Sequence, residues 1–296
     1  MVSKKILVIG DVMLDHYIYG RCERISPEAP VPIVFWEKEE SSLGGAANLA
    51  RNLVNLGFNT KIISVIGNDD IGVKVENKSK DERIETYFLK SNNRYTTLKT
   101  RIISENHQLS RFDKETRETI TNLEIDYLVE LIENFIQEID LVLISDYNKG
   151  VISVMLIKKL LTITKKYKIP VFVDPKSNNF LKYKGVNLIK PNKSEAELAT
   201  GIKIEDEISL LNACVIISKT TEADIVIVTL SQEGVALYEN KTLKIIPTEA
   251  KEILDVTGAG DTFFAALSYS ILQNLSFFEA CKFANYASAV VIAKSG

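Results

Sequence analysis

The sequence predicts an α/β fold, with a mostly parallel central sheet covered by helices on both faces and a small peripheral β-sheet beside it. Three observations carry this. Short, unbroken apolar runs rich in β-branched residues recur, among them Ile6-Leu7-Val8-Ile9 and Leu141-Val142-Leu143-Ile144, the pattern of strands buried on both faces. Stretches with helical periodicity alternate with them, as at Leu128, Leu131, Ile132, Phe135, Ile136 and Ile139. Most of the runs then close on polar residues: Gly10-Asp11, Ser145-Asp146-Tyr147, Asp174-Pro175-Lys176, Lys190-Pro191-Asn192 and Thr229. The carboxyl ends of parallel strands are where open α/β sheets gather their ligands.

In chain order, Ile6–Ile9 is a central parallel strand, followed by Asp11 and Asp15 at its carboxyl end. Tyr17–Gly20 and Val31–Trp36 are two short strands around the proline-rich Arg24–Pro30 turn, the start of the peripheral sheet. Leu43-Gly44-Gly45-Ala46-Ala47-Asn48 opens a helix that runs through Leu49, Leu53 and Leu56 and ends at Gly57. Paired glycines let a backbone approach a ligand, and equally allow tight helix–sheet packing. Thr60–Ile66 is a strand, and a weakly periodic polar segment to Glu82 is assigned as helix. Thr96–Ser104 and Gln108–Phe112 are further peripheral strands carrying Lys99, Arg101, Arg111 and Asp113, charges that on edge strands more often face solvent than ligand.

Helices around 123–139 and 152–167 flank the strand Leu141–Ile144. The strands Val171–Val173, Val186–Ile189 and Asp224–Val228 follow, with Glu195 on the helix after Asn192. An antiparallel hairpin, Val235–Tyr238 and Leu243–Ile246, forms the sheet edge, and helices Gly260–Leu272 and Phe277–Lys294 finish the chain. With no internal repeat, low-complexity tract or composition break, residues 1–296 are expected to form one domain, with lid strands from about 16–37 and 96–113.

A net charge of -3 gives no electrostatic basis for nucleic acid or an anionic membrane as partner. Three scattered cysteines and two distant histidines, His16 and His107, offer no zinc or His-based triad spacing and fit a reduced compartment. No apolar run reaches membrane-spanning length, so a cytoplasmic protein acting on small molecules is expected.

The chemistry concentrates in Asp255-Val256-Thr257-Gly258-Ala259-Gly260-Asp261-Thr262, a small-residue turn entering a helix. Backbone N–H groups of Gly258, Ala259 and Gly260 at a helix N-terminus form an anion hole. Asp261 in the first turn could accept a proton from a hydroxyl while those amides hold charge on a transferring phosphoryl group. Taken alone, the same residues could be a glycine turn with Asp as macrodipole partner. The chain has no G-x-x-x-x-G-K-[ST] loop.

Gly44-Gly45-Ala46-Ala47-Asn48 early, Asn192-x-x-Glu195 in the middle and the 255–262 turn late together resemble the ribokinase (PfkB) family of carbohydrate kinases. Within it, Gly10–Asp15, Arg24–Pro32, Lys99-Thr100-Arg101, Gln108–Asp113, Ser145–Gly150 and Asp174-Pro175-Lys176 resemble the subgroup that acts on heptose 7-phosphate. The resemblance implies a ribokinase-like fold, ATP and Mg²⁺, and transfer of phosphate to the sugar's anomeric hydroxyl. It makes Asp261 the base and Gly258, Ala259 and Gly260 the anion hole. Asp15, Gly44, Gly45 and Asn48 would bind sugar hydroxyls, with Asp11 a companion and the segment carrying Asp146 beside them. Lys99, Arg101, Arg111, Lys149 and Lys176 become candidates for a distal phosphate. Asn192 and Glu195 would order Mg²⁺ and its waters, and Thr229, Ser231, Gly234 and Asn285 would line the nucleotide pocket.

By the same resemblance a homodimer is expected through the peripheral strands near Ile33, Phe35 and Trp36. The family chain normally continues past Lys294-Ser295-Gly296, and the subgroup often carries a nucleotidyltransferase domain. These 296 residues encode none, so that activity is expected elsewhere.

Overall fold

A computed structural model describes residues 4–105, 107–248 and 258–293. Strand β1 (Lys5–Gly10) lies at the heart of a nine-stranded sheet. It pairs in parallel with β4 (Asn59–Gly67) on one side and β8 (Leu141–Ser145) on the other. Beyond β4 lies β5 (Glu85–Ser91), and beyond β8 lie β9 (Val171–Asp174), β10 (Leu188–Ile189) and β11 (Ile225–Thr229), all parallel. The hairpin β12 (Val235–Glu239) and β13 (Thr242–Ile246) closes that edge antiparallel.

The two faces follow from side-chain alternation. Leu7 and Ile9 of β1 join Val142, Ile144, Val171, Val173, Val226 and Val228 in one buried cluster. It packs under α3 (Asn122–Phe135), α4 (Val154–Tyr167), α5 (Lys193–Thr200) and α6 (Glu207–Thr221). Ile6 and Val8 turn the other way, with Ile62, Leu141, Leu143, Ile225 and Ile227, under α1 (Ala46–Asn55), α2 (Asp70–Asp81), α7 (Ala259–Leu272) and α8 (Phe277–Ile292). The central strands are therefore apolar on both faces, as the unbroken runs require.

A second, four-stranded sheet stands at the carboxyl end of β1 in the order β3-β2-β6-β7. Its strands β2 (Val12–Ile25) and β3 (Pro32–Gly45) are fourteen residues each, well beyond the short strands expected there. The charged run Glu37-Lys38-Glu39-Glu40 is exposed strand, which leaves no alternation to read. Gly44 and Gly45 are the last residues of β3, and the helix they were expected to open begins at Ala46. Strands β6 (Thr97–Ser104) and β7 (His107–Lys114) complete the sheet, β6 parallel to β2 and antiparallel to β7. Two elements, β5 and α6, were not anticipated.

Candidate active site

Six of the eight α-helices among the described residues carry a side-chain cap at the N-terminus: Asp69, Thr121, Ser153, Asn192, Asp206 and Ser276. The exceptions are α1 and α7, whose N-cap positions are Gly45 and Gly258, both at positive φ (59° and 77°). No side chain occupies the leading N–H groups of either helix; at α1 the Ala46 N–H is taken by the Asp11 carbonyl (3.0 Å), whereas at the head of α7 the donors and the positive end of the dipole remain available to a ligand. Gly260 faces open space and lines a cleft of about 940 Å³. Asp255, Val256 and Thr257 of the sequence motif lie outside the described residues.

Asp261, in the first turn of α7, is 5% exposed. Two donors clamp its carboxylate: Asn48 Nδ2 of α1 gives a hydrogen bond to Oδ2 at 2.6 Å, and the Tyr147 hydroxyl gives one to Oδ1 at 3.0 Å. Asn48 is fixed in turn, because its Oδ1 accepts from Arg51 Nη2 at 2.5 Å. Burial, reinforced by the nearby Asp174, raises the Asp261 pKa to about 6, against the pull of Asn48, Tyr147 and Lys190. The group is thus ionised at neutral pH yet basic enough to take a proton. Tyr147, pushed well above its ordinary pKa by burial and by Asp261, stays a hydroxyl donor.

The sheet β3-β2-β6-β7 brings the other charges to one face. Its register pairs Asp15 with Lys99, Lys99 with Asp113, and Arg101 with Arg111, so residues two apart share the face. Asp15 and Arg101 form a half-buried ion pair at 2.6 Å. This corrects the solvent-facing expectation for Arg101, whereas the Arg111–Asp113 pair is more open. Gly44 lies directly beneath Asp15, and a Cβ there would sit 2.1 Å from Asp15 Oδ2 and 2.8 Å from Met13 Cγ. Gly44→Ala is therefore expected to displace Asp15 from Arg101 and to cost roughly 1–3 kcal/mol in a denaturant titration.

Among the five cations singled out from sequence, Lys149 pairs with Glu115 at 2.5 Å and Lys176 with Glu195 at 2.7 Å. Lys99 alone of the five has no carboxylate within ion-pair distance among the described residues. Burial, with Lys149 and Arg111 close by, lowers its pKa in spite of Asp15 and Asp113.

Two of the proposed ligand-binding carboxylates point elsewhere. Asp11, 1% exposed, accepts backbone N–H bonds from Tyr147 (2.8 Å), Lys149 (3.1 Å) and Val151 (3.1 Å). Asp146 accepts from the Tyr183 hydroxyl (2.6 Å) and Lys182 Nζ (2.5 Å) and from the Asn148 N–H. Both carboxylates hold the loop after β8 from inside the protein, for which the sequence gives no sign, since Asp11 and Asp15 look alike on paper.

The cleft runs from Lys176, Lys190, Asn192 and Glu195, past Thr229, Ser231 and Gly234, to Gly260 and Asn285. The structure therefore gathers seven residues assigned from sequence to nucleotide binding into one concavity. Asn192 and Glu195 also form a reciprocal cap on α5, with Asn192 Oδ1 accepting the Glu195 N–H and Glu195 Oε2 accepting the Asn192 N–H. Burial alone would lower the Lys176 pKa, but Asp174, Glu195 and Asp261 around it hold it raised. Sequence reasoning passed over Tyr147 and Arg51 as site residues. The position of Tyr147 just past a parallel strand was the available signal, and Arg51, one turn along α1 from Asn48, carried none.

The model of the pfkB family carbohydrate kinase matches residues 3–296. The bifunctional protein HldE of a Nitratiruptor species is 47% identical over 295 residues, covering 100% of this chain and 63% of that protein. HldE of Helicobacter hepaticus is 43% identical, covering 99% of this chain and 61% of that protein. The chain thus spans less than two thirds of these curated relatives. Among solved structures, phosphofructokinase-2 from Escherichia coli in complex with potassium superposes with a TM-score of 0.82 at 19% identity, over 100% of this chain and 94% of that one. Arabidopsis thaliana ribokinase complexed with ribose and ATP gives 0.77 at 20% identity, over 100% and 94%. These two likenesses speak to the fold. With a family model spanning nearly every residue and a glycine-capped helix presenting Asp261 beside an open cleft, the chain belongs to the pfkB family of carbohydrate kinases and is a sugar kinase.

Proposed function

We propose that this kinase transfers the γ-phosphoryl group of ATP to the anomeric hydroxyl of D-glycero-D-manno-heptose 7-phosphate, giving the 1,7-bisphosphate for ADP-heptose and lipopolysaccharide core synthesis. The observation that carries the reading is the cationic sheet face, where half-buried Lys99 lacks a carboxylate partner among the described residues, beside Asp15, Arg101 and Arg111. An unpaired, partly desolvated ammonium suits a substrate that brings its own dianion. The segments resembling the heptose 7-phosphate subgroup and the HldE relatives support the sugar.

In this reading Asp261 takes the proton of the anomeric hydroxyl as that oxygen attacks the γ-phosphorus and ADP leaves. The free N–H groups at the head of α7 stabilise the charge on the moving phosphoryl group. Asp15 and Asn48 orient the sugar, and the cleft from Asn192 to Asn285 holds the nucleotide. Carboxylates beside the Glu195 end of that cleft fit a Mg²⁺ ion: Asp174 leaves Oδ1 buried without a hydrogen bond, and Lys176 sits among Asp174, Glu195 and Asp261. Glu195 would hold the ion, largely through water, and the ion would supply charge neutralisation at the phosphates.

The test is ADP release with Mg-ATP across heptose 7-phosphate, ribose, fructose and fructose 6-phosphate, with turnover expected on the heptose phosphate. Turnover on another sugar alone would overturn the substrate and keep the kinase. Lys99→Met is expected to raise KM for the sugar phosphate about 10–100-fold while KM for ATP stays within about twofold.

We also infer a homodimer through the peripheral sheet. Strand β7 is exposed at every position, and Ile25, Phe35, Trp36 and Phe112 are 59%, 43%, 63% and 61% exposed on this sheet, two of whose strands are open edges. Light scattering should give twice the chain mass at micromolar concentration, and Trp36→Glu should shift it towards the monomer.

A further inference from the structure

We propose that Tyr147 is a positioning residue for the phosphoryl-transfer base, a strut that reaches from the loop after β8 to fix one oxygen of Asp261 while Asn48 fixes the other. This rests on the reading of Asp261 as the base. Three observations carry it. The Tyr147 hydroxyl donates to Asp261 Oδ1 at 3.0 Å across 114 residues of sequence. Its own backbone N–H is anchored by buried Asp11 Oδ2 at 2.8 Å, and the neighbouring Lys149 and Val151 N–H groups are held by the same carboxylate. The Asn48 amide meets Asp261 Oδ2 from the opposite side, braced by Arg51. A carboxylate with one donor on each oxygen has little freedom to rotate about its Cβ–Cγ bond. The lone pairs not taken by Asn48 and Tyr147 are then aimed in one direction.

The pair also ties the base to the start of the sheet. Asp11 follows β1 directly, and its carboxylate sets where the 146–151 loop runs, so the hydroxyl of Tyr147 is located by a buried central strand rather than by a free loop. The second buried acid of the loop, Asp146, acts the same way through Tyr183 and Lys182. The charged groups that face Asp261 are Lys176 and Asp174 from the β9 end and Lys190 after β10. Besides Asn48, Tyr147 is the neutral donor among its neighbours, and it stabilises the ionised form.

Tyr147→Phe removes the hydroxyl and keeps the ring and the backbone N–H to Asp11, so the loop is expected to stay in place. In the unliganded protein, ¹³C carboxyl NMR, with the Asp261 signal assigned by its absence in Asp261→Asn, should show the Asp261 titration moving up by about half to one pH unit. With the sugar phosphate, kcat should fall on the order of tenfold with KM changed less than about twofold, and the acidic limb of kcat/KM should move up by the same amount as the NMR titration. Arg51→Lys, which retains a donor for Asn48, should leave the titration where it is in the wild type. An unmoved Asp261 titration in Tyr147→Phe would overturn the proposal whatever the activity. A moved titration with an unmoved kcat and acidic limb would keep the contact and overturn its part in positioning the base. A moved titration in a protein that turns over no sugar would support the strut and reject the sugar-kinase reading of Asp261 separately.

Discussion

Asp261→Asn is expected to lower kcat by roughly 10²–10⁴-fold, the usual loss when a general base is removed. The fold should survive this change at full stability or better. The folded-state pKa of Asp261, about 6, stands above its ordinary value of 3.8 because burial penalises the charge. A group with a raised folded pKa favours the folded state below pH 3.8 and loses that contribution as pH rises through about 6. By pH 7 to 8 the ionised carboxylate therefore withholds on the order of 3 kcal/mol, by the roughly 1.4 kcal/mol per pKa unit that linkage requires. A neutral amide escapes that penalty. Its oxygen can accept from Asn48 and its NH₂ can donate to the Tyr147 hydroxyl oxygen, so both contacts can be kept once that hydroxyl turns its own proton away. Thermal melting at pH 8 should give an equal or higher Tm than the parent, beside a kinase all but inactive. In the parent, kcat/KM should fall about tenfold per pH unit below about 6. Retained activity of more than a few percent in the variant would remove Asp261 from the base role.

Asp11→Asn should behave in the opposite way, although Asp11 is as buried and its pKa is likewise raised to about 6, by burial and then by Asp146. Here the carboxylate accepts from three backbone N–H donors. An amide has one oxygen, so its NH₂ would be pressed against donors, and at least one buried N–H would lose its partner. Each unsatisfied buried group costs roughly 1–3 kcal/mol, and the loop it fixes carries Tyr147. Escape from the charge-burial penalty offsets part of this, so urea titration at pH 7.5 should show a net destabilisation of about 1–3 kcal/mol, with kcat reduced as well. A variant as stable as the parent would mean that the loop holds itself without Asp11.

These two aspartates mark the limit of what was legible in the sequence. The buried parallel strands announced themselves as unbroken apolar runs, since a strand covered on both faces needs no polar residue. The head of α7 was legible because a helix start with no side chain large enough to cap it is an unusual local choice, and the residues around the cleft could be assembled from strand ends. Pairings across the fold were not legible. Asp11 and Asp15 lie four residues apart with similar neighbours, yet one turns into the protein and the other out to Arg101. Tyr147 meets Asp261 only because β1 and β8 are adjacent and α7 packs over their ends. The peripheral sheet was under-read for a different reason: β3 crosses a charged run that is exposed on both faces and so has no period. At the edge of the central sheet, β5 is half-buried along most of its length and shows no unbroken apolar run either.

The most direct measurement is ³¹P NMR of the product formed from Mg-ATP and D-glycero-D-manno-heptose 7-phosphate. The account predicts a second sugar phosphorus signal coupled to the anomeric proton, appearing in step with ADP and absent with Asp261→Asn. No transfer to this sugar, or a new phosphate coupled to a proton other than the anomeric one, would contradict it.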